Sequence, residues 1–355
     1  MKEIKIKNKK ISENHKTYFI ADIAANHDGS LKRAKKLIRL ASQSGADAAK
    51  FQHFKAKTIV SDLGFKKLGK RSHQSKWNKS VYEVYKDASI NNSWNKTLAK
   101  ECKKYGIHFM TSPYDLNYVD SVNKYICAYK IGSGDISWTK IIDKIASKKK
   151  PVILATGASS LKDVKRAVKI LIKKNKQVVL MQCNTNYTAS IENFHYLNLN
   201  VLKTYKKLFK NKLIYGLSDH THGHTSVLAS IVLGARVIEK HFTDDNSRTG
   251  PDHKFSMNPM TWRKMVDETR NLERSLGNGV KKVEKNEKET FFAQRRCVRA
   301  NINIKKNQKI TKEMLVCLRP INKGAVEPFD IKKIIRKRAL RNIKLGEAIC
   351  WKNIK

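Results

Sequence analysis

A short apolar run rich in β-forming residues recurs eight times between positions 18 and 242, and helical spacing fills most of the intervals. The runs are 18–24 (YFIADIA), 46–52 (ADAAKFQ), 107–112 (IHFMTS), 128–134 (AYKIGSG), 151–157 (PVILATG), 178–184 (VVLMQCN), 213–220 (LIYGLSDH) and 235–242 (ARVIEKHF). Apolar strands that alternate with amphipathic helices specify a parallel sheet covered by those helices. Two of the helices are legible in detail. Ser30 is placed as the N-cap of a helix with the apolar face Leu31, Ala34, Leu37, Ile38 and Ala41, closed by Gly45. Ser160 stands in the same relation to Leu161, Val164, Ala167, Val168, Leu171 and Ile172. Eight such units in so short a span fit an α/β fold of the closed (β/α)8 TIM-barrel type better than an open sheet.

A barrel takes about 250 residues, so a chain of 355 has room for a second unit. The pattern changes after Gly277-Asn-Gly279 and the charged run at 281–289, and from Arg295 onward it becomes short β-like pieces joined by turns. The division expected is a barrel over 1–280, a linker over 281–294 and a small β-rich domain over 295–355. The segment 55–95, after the second run, is long and rich in Trp, Tyr, Lys and Ser; loops of that kind shape the functional face of a barrel.

Composition excludes several classes. No apolar run approaches the roughly 18 residues of a membrane span. The basic start MKEIKIKNKK has no apolar stretch behind it, so the expectation is a cytoplasmic protein without a secretory signal or a membrane partner. The six cysteines form no CxxC pair, which argues against a zinc knuckle or a disulfide framework. The net charge of +44 invites a nucleic-acid reading. The excess, however, is Lys on what read as solvated helix faces, such as Lys32-Arg33 with Lys35-Lys36, and no nucleic-acid-binding motif accompanies it. A bias towards Lys explains the charge, nucleic acid is not expected as a partner, and the positive field would still draw in small anions.

Reacting groups of a TIM barrel sit at the C-terminal ends of its strands. Those ends carry Asp22, then Lys50 and Gln52, then Ser112, Tyr114 and Asp115, then Lys130, Ser133 and Asp135. Further on come Gln182, Asn184, Thr185 and Tyr187, then Ser218, Asp219 and His220, and finally Lys240 and His241, with Asp252 in the loop beyond. His220 and His241 end adjacent strands and are candidate metal ligands, with His222, His224 and His253 as rivals; a hydrogen-bonded core histidine is the competing reading. Lys50 and Lys130 lie inside apolar runs, where a cation is expensive unless an anion neutralises it. Pointing into a barrel mouth, they suit a phosphate and a carboxylate. The turns Gly132-Ser133-Gly134 and Gly157-Ala-Ser159-Ser160 could add backbone N–H donors.

With FIADIAANHDGS, DAAKFQ, FMTSPYD, YKIGSGD, GLSDHT, EKHFT and GPDHKFSMNP in that order, the chain resembles the sialic-acid synthase family. These are phosphoenolpyruvate-dependent synthases of N-acetylneuraminate and related nonulosonic acids, and the tail from Arg295 resembles their antifreeze-like SAF domain. The resemblance implies that phosphoenolpyruvate, an N-acetylated hexose aldehyde such as N-acetylmannosamine, and water give a nonulosonic acid and phosphate. His220 and His241 would bind a divalent metal, Mn²⁺ by family habit, with Mg²⁺ or Co²⁺ as alternatives. Lys50, Lys130, Ser112, Ser133, Asn184 or Thr185, and Ser218 would hold phosphoenolpyruvate. Gln52, Tyr187 and Asp252 would bind the sugar, Tyr114 would be a further substrate contact, and Asp22 and Asp135 would be the acidic groups near the aldehyde. Arg319 matches an arginine lent to the partner subunit in a domain-swapped homodimer. Well-known members carry Glu where this chain has Asp22 and Asp135, a shortening of about 1.5 Å, and Cys-Thr-Asn where it has Cys183-Asn184-Thr185. The alternatives are a pseudaminic or legionaminic acid synthase using a dideoxy diacetamido hexose and, more distantly, a non-catalytic sugar-binding or nucleic-acid-binding protein.

Overall fold

The computed structural model describes residues 2–69, 74 and 77–355, so part of the segment 55–95 lies outside the described residues. The chain divides into two units, Met1–Leu276 and Gly277–Lys355. In the first, a hairpin of β1 (Ile4–Ile6) and β2 (Lys9–Ile11) precedes eight parallel strands. These are β3 (Tyr18–Asp22), β4 (Ala48–His53), β5 (His108–Pro113), β6 (Tyr129–Ile131), β7 (Val152–Ala155), β8 (Val178–Cys183), β9 (Ile214–Asp219) and β10 (Val237–His241). They close into a barrel in sequence order, with β10 pairing β3. All eight recurring runs are strands, and the TIM-barrel expectation holds.

The helices form where the sequence caps them. Ser30 Oγ accepts from the Arg33 N–H ahead of Leu31–Gln43, which buries Ala34, Leu37, Ile38 and Ala41. Ser160 and Asp163 make a reciprocal capping box ahead of Leu161–Lys174. Leu161, expected on the apolar face, is instead exposed at the first position of that helix. The run 128–134 is also shorter than expected. Its strand ends at Ile131, and Ser133–Asp135 turn tightly above it, lifting Ser133 and Asp135 onto the rim.

Strand alternation sorts the core into two layers. Phe19, Ala49, Phe51, Phe109, Leu154, Leu180, Leu217 and Ile238 face the helices. Tyr18, Ile20, Ala48, Met110, Ile153, Val179, Met181, Ile214 and Val237 face inward, where Ile4, Ile6 and Ile11 of the hairpin join them. Most of these come from the first residues of the strands, so the hairpin plugs the N-terminal end of the barrel. Chemistry is left to the other end.

The second unit pairs β11 (Cys297–Ala300) with β12 (Leu315–Leu318) antiparallel. Isolated bridges such as Ile304 with Ile343 extend it around its own core of Val298, Ile310, Val326, Ile334 and Ile349. Among the described residues no helix is long and apolar enough to cross a membrane.

Ile6 is fully buried in the plug. Ile6→Ala should lower stability by about 2–4 kcal/mol, read as a lower urea midpoint; an unchanged midpoint would mean that the hairpin does not close the barrel.

Candidate active site

The same alternation that builds the inner layer carries Asp22, Lys50, Gln52, Ser112, Lys130, Ser218, Glu239 and His241 into the barrel at its C-terminal end. Parallel register sets Asp22 opposite Lys50 on one side and opposite His241 on the other. Lys50 Nζ lies 2.7 Å from Asp22 Oδ2 and 3.6 Å from Glu239 Oε2. Lys130 Nζ lies 2.5 Å from Glu239 Oε1, to which Ser218 Oγ also donates at 3.1 Å. Lys50 also approaches Ser112 Oγ at 3.5 Å. Burial opposes the Lys50 charge, yet Asp22 and Glu239 outweigh it and raise its pKa. Burial likewise favours neutral Glu239, but Lys130 and Lys50 prevail and lower its pKa. The result is a quartet of two ammoniums and two carboxylates.

This corrects the sequence reading of the lysines. They do not wait unpaired for an anion, because the chain supplies one of its own in Glu239, which the sequence reading passed over. The signal was available: Glu239 lies two residues before His241 on the same strand, so it must share the inward face. Asp219, Gln182 and Lys240 alternate the other way and leave the mouth. Gln182 Nε2 donates to the Leu197 carbonyl, and Lys240 pairs with Asp219 behind the barrel wall.

His220 and His241 converge above the quartet with ring centroids 5.4 Å apart. His220 Nδ1 donates to the Asn184 carbonyl oxygen at 2.9 Å, which leaves Nε2 as the ring's lone-pair atom. His241 Nδ1 is buried without a hydrogen-bond partner, and Asp22 and Asp252 carboxylate oxygens stand 3.6 and 3.8 Å from its ring nitrogens. Burial and the charges of His220 and Lys50 hold His241 well below its ordinary pKa, and a neutral imidazole is the form a metal needs. Tyr187 and Phe255 pack edge-on to both rings; Phe255 is a second residue that the sequence reading missed. Among the described residues no three His, Cys, Asp or Glu side chains form a ready cage for an ion. His220 Nε2 and the unpartnered Nδ1 of His241 are the ring nitrogens of this pair that could hold a divalent ion. The rivals are elsewhere. His222 is exposed and bonds the Ala189 carbonyl. His224 sits at the start of the helix Thr225–Val232. His253, the third rival, is fully buried and braces its loop against Thr243 and Asp28.

Beside the imidazoles is a cavity of about 140 Å³ lined by Gln52, Phe54, Tyr114, Tyr187, His241 and Asp252, with Trp77 and Tyr85 contributed by the segment 55–95. Burial lifts Asp252 to about 6, and burial lifts Asp135 on the rim to about 6. On the opposite side Ser133 Oγ accepts from the Gly157 N–H at 2.9 Å, so that donor is already engaged. Gly157 has to be glycine, since a Cβ there would run into Thr185 Oγ1. Asn184 contributes only its backbone: its side-chain amide turns away to the Tyr196 carbonyl. Arg319 belongs to the second unit and is exposed there.

The NeuB family model matches residues 37–281, and the SAF domain model matches 295–355. An N,N'-diacetyllegionaminic acid synthase of Campylobacter jejuni is 36% identical over 94% of this chain and 99% of its own length. A pseudaminic acid synthase of the same organism is 32% identical over 94% of this chain and 95% of its own. Among solved structures, the N-acetylneuraminic acid synthetase of Leptospira borgpetersenii, crystallised with citrate, superposes with a TM-score of 0.70 at 28% identity, covering 81% of this chain and 95% of that one.

Glu239→Gln should leave Lys130 buried without its carboxylate and lower stability by roughly 3–5 kcal/mol. Thermal or urea unfolding reads the loss; parental stability would show that the quartet is not a coupled unit.

Proposed function

The chain belongs to the NeuB family, and from that premise we propose that it is a transferase condensing phosphoenolpyruvate with an N-acetylated hexose aldehyde. Water is the third reactant, and a nonulosonic acid and phosphate are the products. The observation that carries this reading is the pair of buried ammoniums beneath two imidazoles at the C-terminal mouth. Their charges are balanced by Asp22 and Glu239, so the quartet adds no net charge. A substrate with both a phosphate and a carboxylate then needs hydrogen-bond donors and a further cation.

Lys50 and Lys130 hold the phosphate and carboxylate in this reading, with Ser112, Ser133 and Thr185 as hydroxyl donors, while the Ser218 hydroxyl proton is committed to Glu239. Side-chain binding by Asn184 is dropped, because its amide is committed elsewhere. A divalent ion on His220 and His241, Mn²⁺ by family resemblance, would polarise the sugar aldehyde oxygen as a Lewis acid when bound. Gln52, Tyr114, Tyr187 and Asp252 orient the sugar so that its C1 faces C3 of phosphoenolpyruvate. The C3–C1 bond forms with the electron pair of the C2–C3 double bond, positive charge develops at C2, and the aldehyde oxygen takes up the proton that Asp135 relays from the attacking water. Asp135 receives the proton of the water that adds there, since a carboxyl near 6 accepts and returns a proton at neutral pH. The C2–O bond to phosphate then breaks as the C2 hydroxyl proton leaves with the phosphate, giving the keto acid. Lys50 and Lys130 stay charged throughout and stabilise the departing phosphate.

N-acetylmannosamine or a close relative is the acceptor in this reading. A dideoxy diacetamido hexose is the second reading, favoured by the 36% identity to the Campylobacter jejuni legionaminic acid synthase. Mass spectrometry of products from a panel of six-carbon aldehydes separates the two, and no product with any of them would sink both.

Asp135 must be ionised to take the proton, so kcat should fall as pH drops through about 6. Asp135→Asn should remove that limb and lower kcat by roughly 10²–10⁴-fold. An acid limb of the same pKa in Asp135→Asn would assign the proton to another group.

A further inference from the structure

Asp219 and Lys240 form the most deeply buried ion pair among the described residues, with side chains 0% and 1% exposed, and the mechanism above uses neither. They are direct register partners on β9 and β10, and each immediately precedes one of the two imidazoles. Alternation turns them away from the mouth towards the helix Thr225–Val232, where Ser226 Oγ donates to Asp219 Oδ2 at 2.6 Å. Lys240 Nζ reaches Asp219 Oδ2 at 2.5 Å and the Thr221 carbonyl at 2.6 Å. Thr221 closes the circle by donating its N–H at 3.0 Å and its hydroxyl at 2.8 Å to Asp219 Oδ1. The residues on both sides of His220 are thus tied to the side chain that precedes His241.

A buried ion pair seldom adds more stability than well-packed apolar residues of the same volume, whereas it does fix one arrangement of the groups around it. We propose that the Asp219–Lys240 pair positions the two imidazoles for a divalent cation, by locking the segment that carries His220 against the strand that carries His241. This rests on the reading of His220 and His241 as ligands of that ion. Supports of metal-binding histidines ordinarily bond the ring itself; here the brace acts through the backbone from behind the wall. Asp219 and Lys240 are positioning residues, and neither touches substrate.

The test is Mn²⁺ binding to the full-length protein without substrates, followed by electron paramagnetic resonance. The double variant Asp219→Leu with Lys240→Met keeps the volume apolar and should fold with nearly parental Tm. Its Kd for Mn²⁺ should rise roughly 10–100-fold, and the nitrogen modulation from two imidazoles should fall to that of one or none. A folded double variant with parental Kd and parental modulation overturns the proposal. If the double variant does not fold, Asp219→Asn, which keeps the side-chain shape, is read by the same two signals. Two controls separate this failure from that of the ion reading. If the parent binds no Mn²⁺, or His220→Ala binds it as the parent does, the imidazoles are not its ligands and both ideas fall. If His220→Ala loses the ion while the double variant keeps it, only the positioning role falls.

Discussion

The rest of the site depends on the placement of two lysine ammoniums inside a protein barrel. Two buried ammoniums without counter-ions would bear the full cost of lost hydration. Asp22 and Glu239 prevent this by interleaving with Lys50 and Lys130, and Ser218 adds a hydrogen bond to Glu239. Because the quartet is balanced, it can be buried at tolerable cost in the absence of substrate. It also keeps two cations in place for an incoming anion. Of the imidazoles above it, His241 is held well below its ordinary pKa by the same burial and by its positive neighbours, whereas Cys183, Asn184 and Asp219 raise that of His220.

Strand geometry explains why these groups meet. Every second residue near a strand end reaches the mouth, and its neighbours on the chain must face the helices. The same rule that sends Glu239 and His241 inward sends Lys240 outward, where it finds Asp219. The N-terminal hairpin fills the other end with Ile4, Ile6 and Ile11, so the interior is closed on one side and chemically furnished on the other. The segment 55–95 and the loop carrying Asp252 then raise walls around the mouth, and buried His253 fixes the second of these.

Most of the fold was legible, because eight apolar runs alternating with capped helices leave little else for the chain to build. The hairpin was not, since three-residue strands rich in Lys carry too weak an alternation to stand out from a basic terminus. At the site, the lysines and histidines could be picked out from their unusual positions in apolar runs. Their partners were harder. Glu239 was visible only once the inward phase of its strand was fixed by His241, and Phe255 lies in a loop with no period at all. Asn184 shows the converse: a polar residue at a strand end whose side chain answers to a neighbouring loop, while its carbonyl does the orienting of His220. Buried His253 teaches the same lesson, because loop position alone does not say whether a side chain meets solvent.

The central claim is that this mouth joins C3 of phosphoenolpyruvate to the aldehyde carbon of a hexose. The most direct measurement is carbon NMR of phosphoenolpyruvate labelled at C3, incubated with the protein, a divalent cation and the acceptor sugar. The account predicts that the vinyl resonance is replaced by that of a methylene bonded to two carbons, with one phosphate released for each. Appearance of the label in the methyl group of pyruvate, or no change in the vinyl signal with any acceptor, would contradict it.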